Sequence, residues 1–140
     1  MTAEKIFQFE LVSPEKVLFS QPALQVVIPG SEGDFGVLFD HAPLLSSLRP
    51  GVVSVTKEDG SVQEIFVAGG FADVNSNICT VLAEEAVNVN ELDKDNLEKE
   101  ISNLNDEITI TEDEDKKLEL FHALTLAKAK LQAVIGELVL

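Results

Sequence analysis

The sequence predicts an all-β sandwich or barrel over residues 1–90, followed by an antiparallel two-helix hairpin over residues 91–140. Three observations predict it. All five prolines and seven of the eight glycines fall in the first part, leaving only Gly136 in the second. Apolar residues in the first part alternate with polar ones, the period of a strand with one buried face. In the second part they recur every three or four residues, the period of a helix.

The first strand is the clearest. Phe7, Phe9 and Leu11 alternate with Gln8 and Glu10, so one face carries aromatic and aliphatic bulk and the other meets water. Leu24 to Ile28 is a second run, and Pro29-Gly30 is expected to stop it. Val52 to Lys57 and Val62 to Ala68 flank Asp59-Gly60, a hairpin signal. Gly69-Gly70 and Asn75-Ser76-Asn77 read as further turns, and Ile78 to Ala83 and Ala86 to Val89 complete the series. Many short strands with regular turns, and no crossover helix between them, argue against a parallel sheet.

Past residue 90 the composition shifts to helix formers. Leu97, Ile101, Leu104 and Ile108 make one narrow apolar stripe. Leu120 or Phe121, Leu124, Ala127, Leu131, Val134 and Leu138 make a matching one. Thr109 to Asp115 is acidic and β-branched, so a break is expected there. Thr111-Glu112-Asp113-Glu114 has the spacing of a capping box for the second helix. Glu112 to Asp115 also place negative charge near that helix's N-terminus, which suits its dipole. A short connection makes the pair antiparallel. Neither helix can bury its stripe by itself.

Charge narrows the function. The 140 residues carry a formal net charge of -15. Residues 1–90 hold 4 basic against 12 acidic groups, and residues 91–140 hold 6 against 13, so the acidity is not a tail. Such a chain repels phosphate backbones and anionic lipid heads. Nucleic-acid binding is excluded on that ground, and basic protein surfaces are the favoured partners. Cys79 is the single cysteine, which rules out an internal disulfide and any cysteine-cluster zinc site and fits a reducing compartment. Met1-Thr2-Ala3-Glu4-Lys5 shows no basic run leading into an apolar core, so no secretory signal is expected. No apolar run approaches the ~20 residues that span a bilayer, so direct membrane insertion is not expected.

Catalytic groupings are scarce. His41 and His122 lie in different parts of the chain, and nothing in their spacing supports a metal site. Ser46 and Ser47 lack a nucleophile-elbow context. Glu84 and Glu85 are adjacent in a strand and so point to opposite faces, which disqualifies them as an acid/base pair. Pro29-Gly30-Ser31-Glu32-Gly33-Asp34-Phe35-Gly36 is glycine-rich but has no lysine, carries two acids and leads into strand-like sequence. A phosphate loop needs amides at a helix N-terminus and a cation. This stretch reads either as a tight turn or as a polar contact surface. No catalytic residue, metal or cofactor emerges.

The stretch from Val27 to Gly51, V-I-P-G-S-E-G-D-F-G-V-L-F-D-H-A-P-L-L-S-S-L-R-P-G, closely resembles the epsilon family of F-type ATP synthases. So do Ala68-Gly69-Gly70-Phe71, Val81-Leu82-Ala83-Glu84-Glu85-Ala86 and Leu92-Asp93, in the same order along nearly the whole chain. The resemblance implies a sandwich of about ten strands with a C-terminal helical hairpin. It implies a non-catalytic rotor subunit of the central stalk, coupling rotation of the proton-driven c-ring to ATP synthesis. Its partners would be the gamma subunit, the c-ring and, through the hairpin, the α/β catalytic hexamer. Its place would be peripheral, on the cytoplasmic face of the bacterial inner membrane.

The family's c-ring contact maps onto Ser31, Glu32, Gly33 and Asp34, with His41 nearby; Phe39-Asp40 departs from the Pro-Gly that many relatives carry before that histidine. In some members the hairpin binds ATP through a motif that here reads Leu92-Asp93-Lys94-Asp95-Asn96-Leu97. Its arginine position is Asn96, its alanine position is Leu97, and no arginine follows Arg49. Without the guanidinium fork, weak or no ATP binding is expected, and the hairpin is expected to inhibit hydrolysis weakly or not at all. Two other classes remain as alternatives. A small-ligand-binding, cupin-like sandwich would need several histidine ligands and has only His41 in the β part. A free-standing ATP sensor is opposed by the missing arginines.

Overall fold

The structure, a computed structural model, describes residues 5–136. Met1 to Glu4, read above for a targeting signal, and Leu138 of the second helical stripe lie outside the described residues. The chain divides into two compact units, one ending at Asn88 and the other beginning at Val89.

The first unit has eight strands: β1 Phe7–Val12, β2 Val17–Ala23, β3 Gln25–Gly30, β4 Gly33–Leu38, β5 Leu44–Ser47, β6 Gly51–Thr56, β7 Val62–Val74 and β8 Ile78–Asn88. They pair in the order β2-β1-β8-β7-β6-β3-β4, with β5 added on β7. The long strands β7 and β8 belong to both layers of a sandwich. Residues Val62 to Val67 of β7 pair with β6, whereas Phe71 to Val74 pair with β5. Strand β8 follows β7 throughout and offers Ile78 to Leu82 to β1. One layer is thus β2-β1-β8-β7-β5, and the other is β8-β7-β6-β3-β4.

Gly69 and Gly70, expected to form a turn, instead mark the point where β7 passes from one layer to the other. Both take positive φ, 71° and 108°, and the β7–β8 register continues unbroken across them. A side chain at Gly70 would place its Cβ 1.8 Å from the Leu82 carbonyl oxygen. The bend therefore requires glycine. Ala86 to Val89 is likewise no separate strand, because β8 runs on to Asn88. The unit thus has eight strands, against the ten or so that the resemblance implies.

Other departures have local causes. Pro29 and Gly30 do not stop β3; they pair with Asp34 and Gly33, so only Ser31 and Glu32 turn the hairpin. Strands β2 and β5 carry weak sequence signals. Pro22 is tolerated in β2 because that strand is an edge, and β5 has only four residues. One pairing, β1 with β8, is parallel and joins the two ends of the unit. The core between the layers includes Phe9, Val26, Ile28, Val53, Val55, Val67, Val74 and Val81, each at most 1% exposed. Each such side chain contributes about 1.5–3 kcal/mol by leaving water. Phe9 meets Phe19 edge-on, with ring centroids 5.8 Å apart.

The second unit opens with a 3-10 turn, Val89–Glu91, and holds α1 Lys94–Ile110 and α2 Glu114–Ile135, which pack against each other. Leu97 of the first stripe is buried; so are Leu124, Ala127 and Leu131 of the second. The break spans three residues rather than the expected seven. Thr109 stays helical by donating its hydroxyl to the Asn105 carbonyl at 2.9 Å. Thr111 is the C-cap of α1, and Asp113, not Thr111, caps α2, accepting from the Asp115 amide at 3.1 Å. Asp outcompetes the capping-box geometry because it sits directly before the first helical residue. Gly136 closes α2 in the left-handed conformation.

Candidate functional site

The turn between β3 and β4 presents Ser31, Glu32, Gly33 and Asp34, all exposed. Its geometry is fixed from one side by the end of β5 and the residues that follow it. The Ser31 amide donates to the Ser47 carbonyl at 2.9 Å, and the Arg49 amide donates to the Pro29 carbonyl at 3.0 Å. Gly30 bridges to Leu48. The Arg49 guanidinium then closes over the turn. Its Nη1 donates to the Gly30 carbonyl at 2.7 Å, and its Nη2 forms an ion pair with Asp34. The sequence singled out Ser31, Glu32, Gly33 and Asp34 but gave Arg49 no role there. Its one signal was being the chain's single arginine.

His41 lies elsewhere. Its Nδ1 is 2.6 Å from the Ala42 carbonyl, and the neighbouring Asp40 amide donates to the Ser76 carbonyl at 3.0 Å. Asp40 takes φ 63°, the only positive φ among described non-glycine residues. This loop therefore meets the β7–β8 turn, at the Leu44 end of β5. The 31–34 turn meets the Ser47 end, roughly 10 Å of strand away. Ser31, Glu32, Gly33 and Asp34 form one patch, and His41 is not part of it.

The degenerate nucleotide motif has a structural use. Asp93 is the N-cap of α1, its carboxylate accepting from the Asp95 amide at 2.9 Å and the Asn96 amide at 3.3 Å. Leu97 is buried, Leu92 is half-buried and Asn96 is exposed. Among the described residues no group of three or more His, Cys, Asp or Glu is placed to hold a metal. Cys79 is buried in the sandwich core, and burial together with the Asp73 charge pushes its thiol up to about 12. Such a thiol is inert. Asp59 caps the β6–β7 turn, and hydrogen bonds from the Ser61 hydroxyl and amide lower its pKa.

The outer face of the β5-containing layer carries an apolar row beside a polar one, in which Leu45 pairs with Asp73 and Asp73 with Thr80. Leu45 and Phe71 are 69% and 41% exposed. Register sets Phe71 beside Leu82 and Leu82 beside Val12 on that face. This makes an apolar band across one layer, the kind of surface that partners cover. The sequence missed it because β5 was not foreseen.

A sandwich with a clamped acidic turn, an apolar outer band and a separate helical hairpin defines a class: a small subunit whose surfaces serve other proteins. The family described as the β-sandwich domain of the ATP synthase delta/epsilon chain matches residues 6–89. The ATP synthase epsilon chain of Rhodospirillum rubrum is 47% identical over 130 residues, covering 92% of this chain and 96% of its own. That of Rhodospirillum centenum is 44% identical over 140 residues, covering 96% and 95%. A chain in the cryo-EM structure of the Euglena gracilis mitochondrial ATP synthase, comprising OSCP, F1 and c-ring, superposes with a TM-score of 0.82 at 25% identity, over 96% of this chain and 84% of that one. A chain of the Tetrahymena thermophila mitochondrial ATP synthase central stalk and c-ring shares the fold, with a TM-score of 0.61 at 13% identity over 95% and 99% of the two chains. The chain belongs to the delta/epsilon family of ATP synthase subunits, and within it to the epsilon chains.

Proposed function

We propose that this chain is a non-catalytic rotor subunit in the central stalk of a proton-translocating F-type ATP synthase, joining c-ring rotation to the gamma subunit and so to ATP synthesis. The observation that carries this reading is the near end-to-end match to epsilon chains, covering 92% of this chain and 96% of the Rhodospirillum rubrum one. The acidic 31–34 turn is the c-ring contact, since charge-assisted bonds to basic loops would fix register. The apolar band around Leu45 and Phe71 receives the gamma subunit. His41, at the far end of β5, lies outside that contact patch. The helical hairpin reaches the α/β hexamer weakly or not at all. As part of the complex, the subunit sits peripherally on the cytoplasmic face of the inner membrane; no described helix is long and apolar enough to cross it.

The test uses the catalytic complex of α, β and gamma with the full chain. Co-elution is expected, and Leu45→Glu with Phe71→Glu is expected to abolish it while circular dichroism stays unchanged. In membranes, Glu32→Lys with Asp34→Lys is expected to weaken ATP-driven proton pumping. Failure of the wild-type chain to co-elute would refute the stalk reading. Unchanged pumping by the double lysine variant would refute the c-ring contact.

A further inference from the structure

We propose that Arg49 is the positioning residue of the 31–34 turn: it neutralises Asp34 within the chain, fixes the turn's shape, and leaves Glu32 as the one carboxylate presented to the c-ring. The proposal rests on the reading of this turn as the c-ring contact.

The turn is poorly specified by its own residues. Two-residue hairpin loops hold their strands best when the central residues take positive φ. Here neither Ser31 nor Glu32 does, and the positive angle falls on Gly33, at 136°. Nor is there room to stiffen the turn with side chains. A Cβ on Gly30 would come within 2.8 Å of the Gly33 carbonyl oxygen and 3.0 Å of the Phe35 ring. Shape must come from outside, and the Ser47–Arg49 segment supplies it through the Ser31–Ser47 and Arg49–Pro29 backbone bonds.

The guanidinium adds what the backbone cannot. One nitrogen holds the Gly30 carbonyl before the turn and another holds the Asp34 carboxylate after it. Two nitrogens set in one rigid plane span the carbonyl and the carboxylate at once, a preset geometry that an ammonium on its flexible stem lacks. The pair is solvent-exposed, at 43% for Arg49 and 61% for Asp34. Exposed pairs add little to stability, so the consequence of this one is geometric. Glu32 is exposed and has no hydrogen bond or ion pair among the described residues. The turn therefore offers a partner one unpaired acid, not two.

The experiment measures affinity of the gamma subunit bound to the full-length chain for purified c-ring, across a salt series. Glu32→Gln is expected to weaken binding roughly tenfold and to flatten its salt dependence. The charge-neutral pair Arg49→Ala with Asp34→Asn is expected to weaken binding several-fold with the salt dependence kept. Its Ser31 to Gly33 amides are expected to exchange hydrogen faster in the free chain. Flattening of the salt dependence in the charge-neutral pair, as in Glu32→Gln, would overturn the proposal, because Asp34 would then touch the partner. So would wild-type affinity and exchange in the charge-neutral pair. If instead Glu32→Gln changes neither affinity nor salt dependence while the exchange effect holds, the clamp stands and the c-ring contact falls.

Discussion

Replacing Gly70 by alanine tests the layer crossing that gives the sandwich its shape. Gly70 holds φ at 108°, outside the range of residues with a Cβ, and such backbone costs about 1–3 kcal/mol. The added carbon would also sit 1.8 Å from the Leu82 carbonyl oxygen and 2.8 Å from its carbon. These are backbone atoms of the paired strand, so no rotamer change relieves the overlap, and forcing β7 from β8 costs about 1–3 kcal/mol more. The sum is about 4 kcal/mol, a large share of the 5–15 kcal/mol that holds a small domain folded. Gly69→Ala is the control. Its φ of 71° is left-handed, and its Cβ would meet only the flexible Glu84 side chain, so it costs about 1–2 kcal/mol. Urea unfolding, followed by the reaction of buried Cys79 with a thiol reagent, reports on the sandwich itself. With a slope of about 2 kcal/mol per molar, Gly70→Ala lowers the midpoint by about 2 M and Gly69→Ala by under about 1 M. Equal midpoints for the two variants would refute the reasoning.

Cys79 also makes a pH prediction. Its folded pKa is raised, so the folded state keeps a proton that the unfolded state loses. Stability contributed by the neutral thiol is present below the ordinary thiol pKa, about 8.5, and falls by about 1.4 kcal/mol per pH unit above it. The fall levels off as pH passes the folded value of about 12. Urea midpoints measured from pH 8 upward check this, and Cys79→Ala is expected to remove that component of the slope. Asp93→Ala removes the α1 cap and is expected to cost about 1 kcal/mol, read as lower helicity at 222 nm in partial denaturant. Calorimetric titration with micromolar ATP is expected to give no saturable heat, because Asp93 is engaged as a cap and no guanidinium stands at Asn96. Deleting residues 91–140 is expected to leave ATP turnover of the α, β and gamma complex unchanged when co-elution confirms binding. Slower turnover with the full chain only would show the hairpin to be inhibitory.

Sequence reasoning read periodicity well and path poorly. Phe7, Phe9 and Leu11 are buried, with Gln8 and Glu10 less so, because alternation alone fixes which face turns inward. The helical stripes were legible for the same reason, with Leu97, Leu124, Ala127 and Leu131 buried. Glycine misled, since a pair such as Gly69-Gly70 spells both a turn and a bend within a strand. Only the register with Ala83 and beyond distinguishes the two, and register is a long-range property. The capping box misled because two competing caps, Thr111 and Asp113, stand two residues apart.

The candidate site divides along the same line. Ser31, Glu32, Gly33 and Asp34 are consecutive, so any reading that finds one finds all. Arg49 is 15 residues beyond Asp34 and 19 beyond Gly30, and nothing local ties it to them. What brings it back is β5, whose four residues pair with β7 and return the chain from the Asp40–Ser76 contact to the Ser31–Ser47 contact. A chain with net charge -15 has every electrostatic reason to hold its single arginine against acids. It does so at the turn proposed to meet the c-ring, beside the exposed Glu32. On that account the acidity of this subunit is not uniform in its effect: most carboxylates set the sign of the partner, and the pairing of one of them sets which neighbour the partner meets.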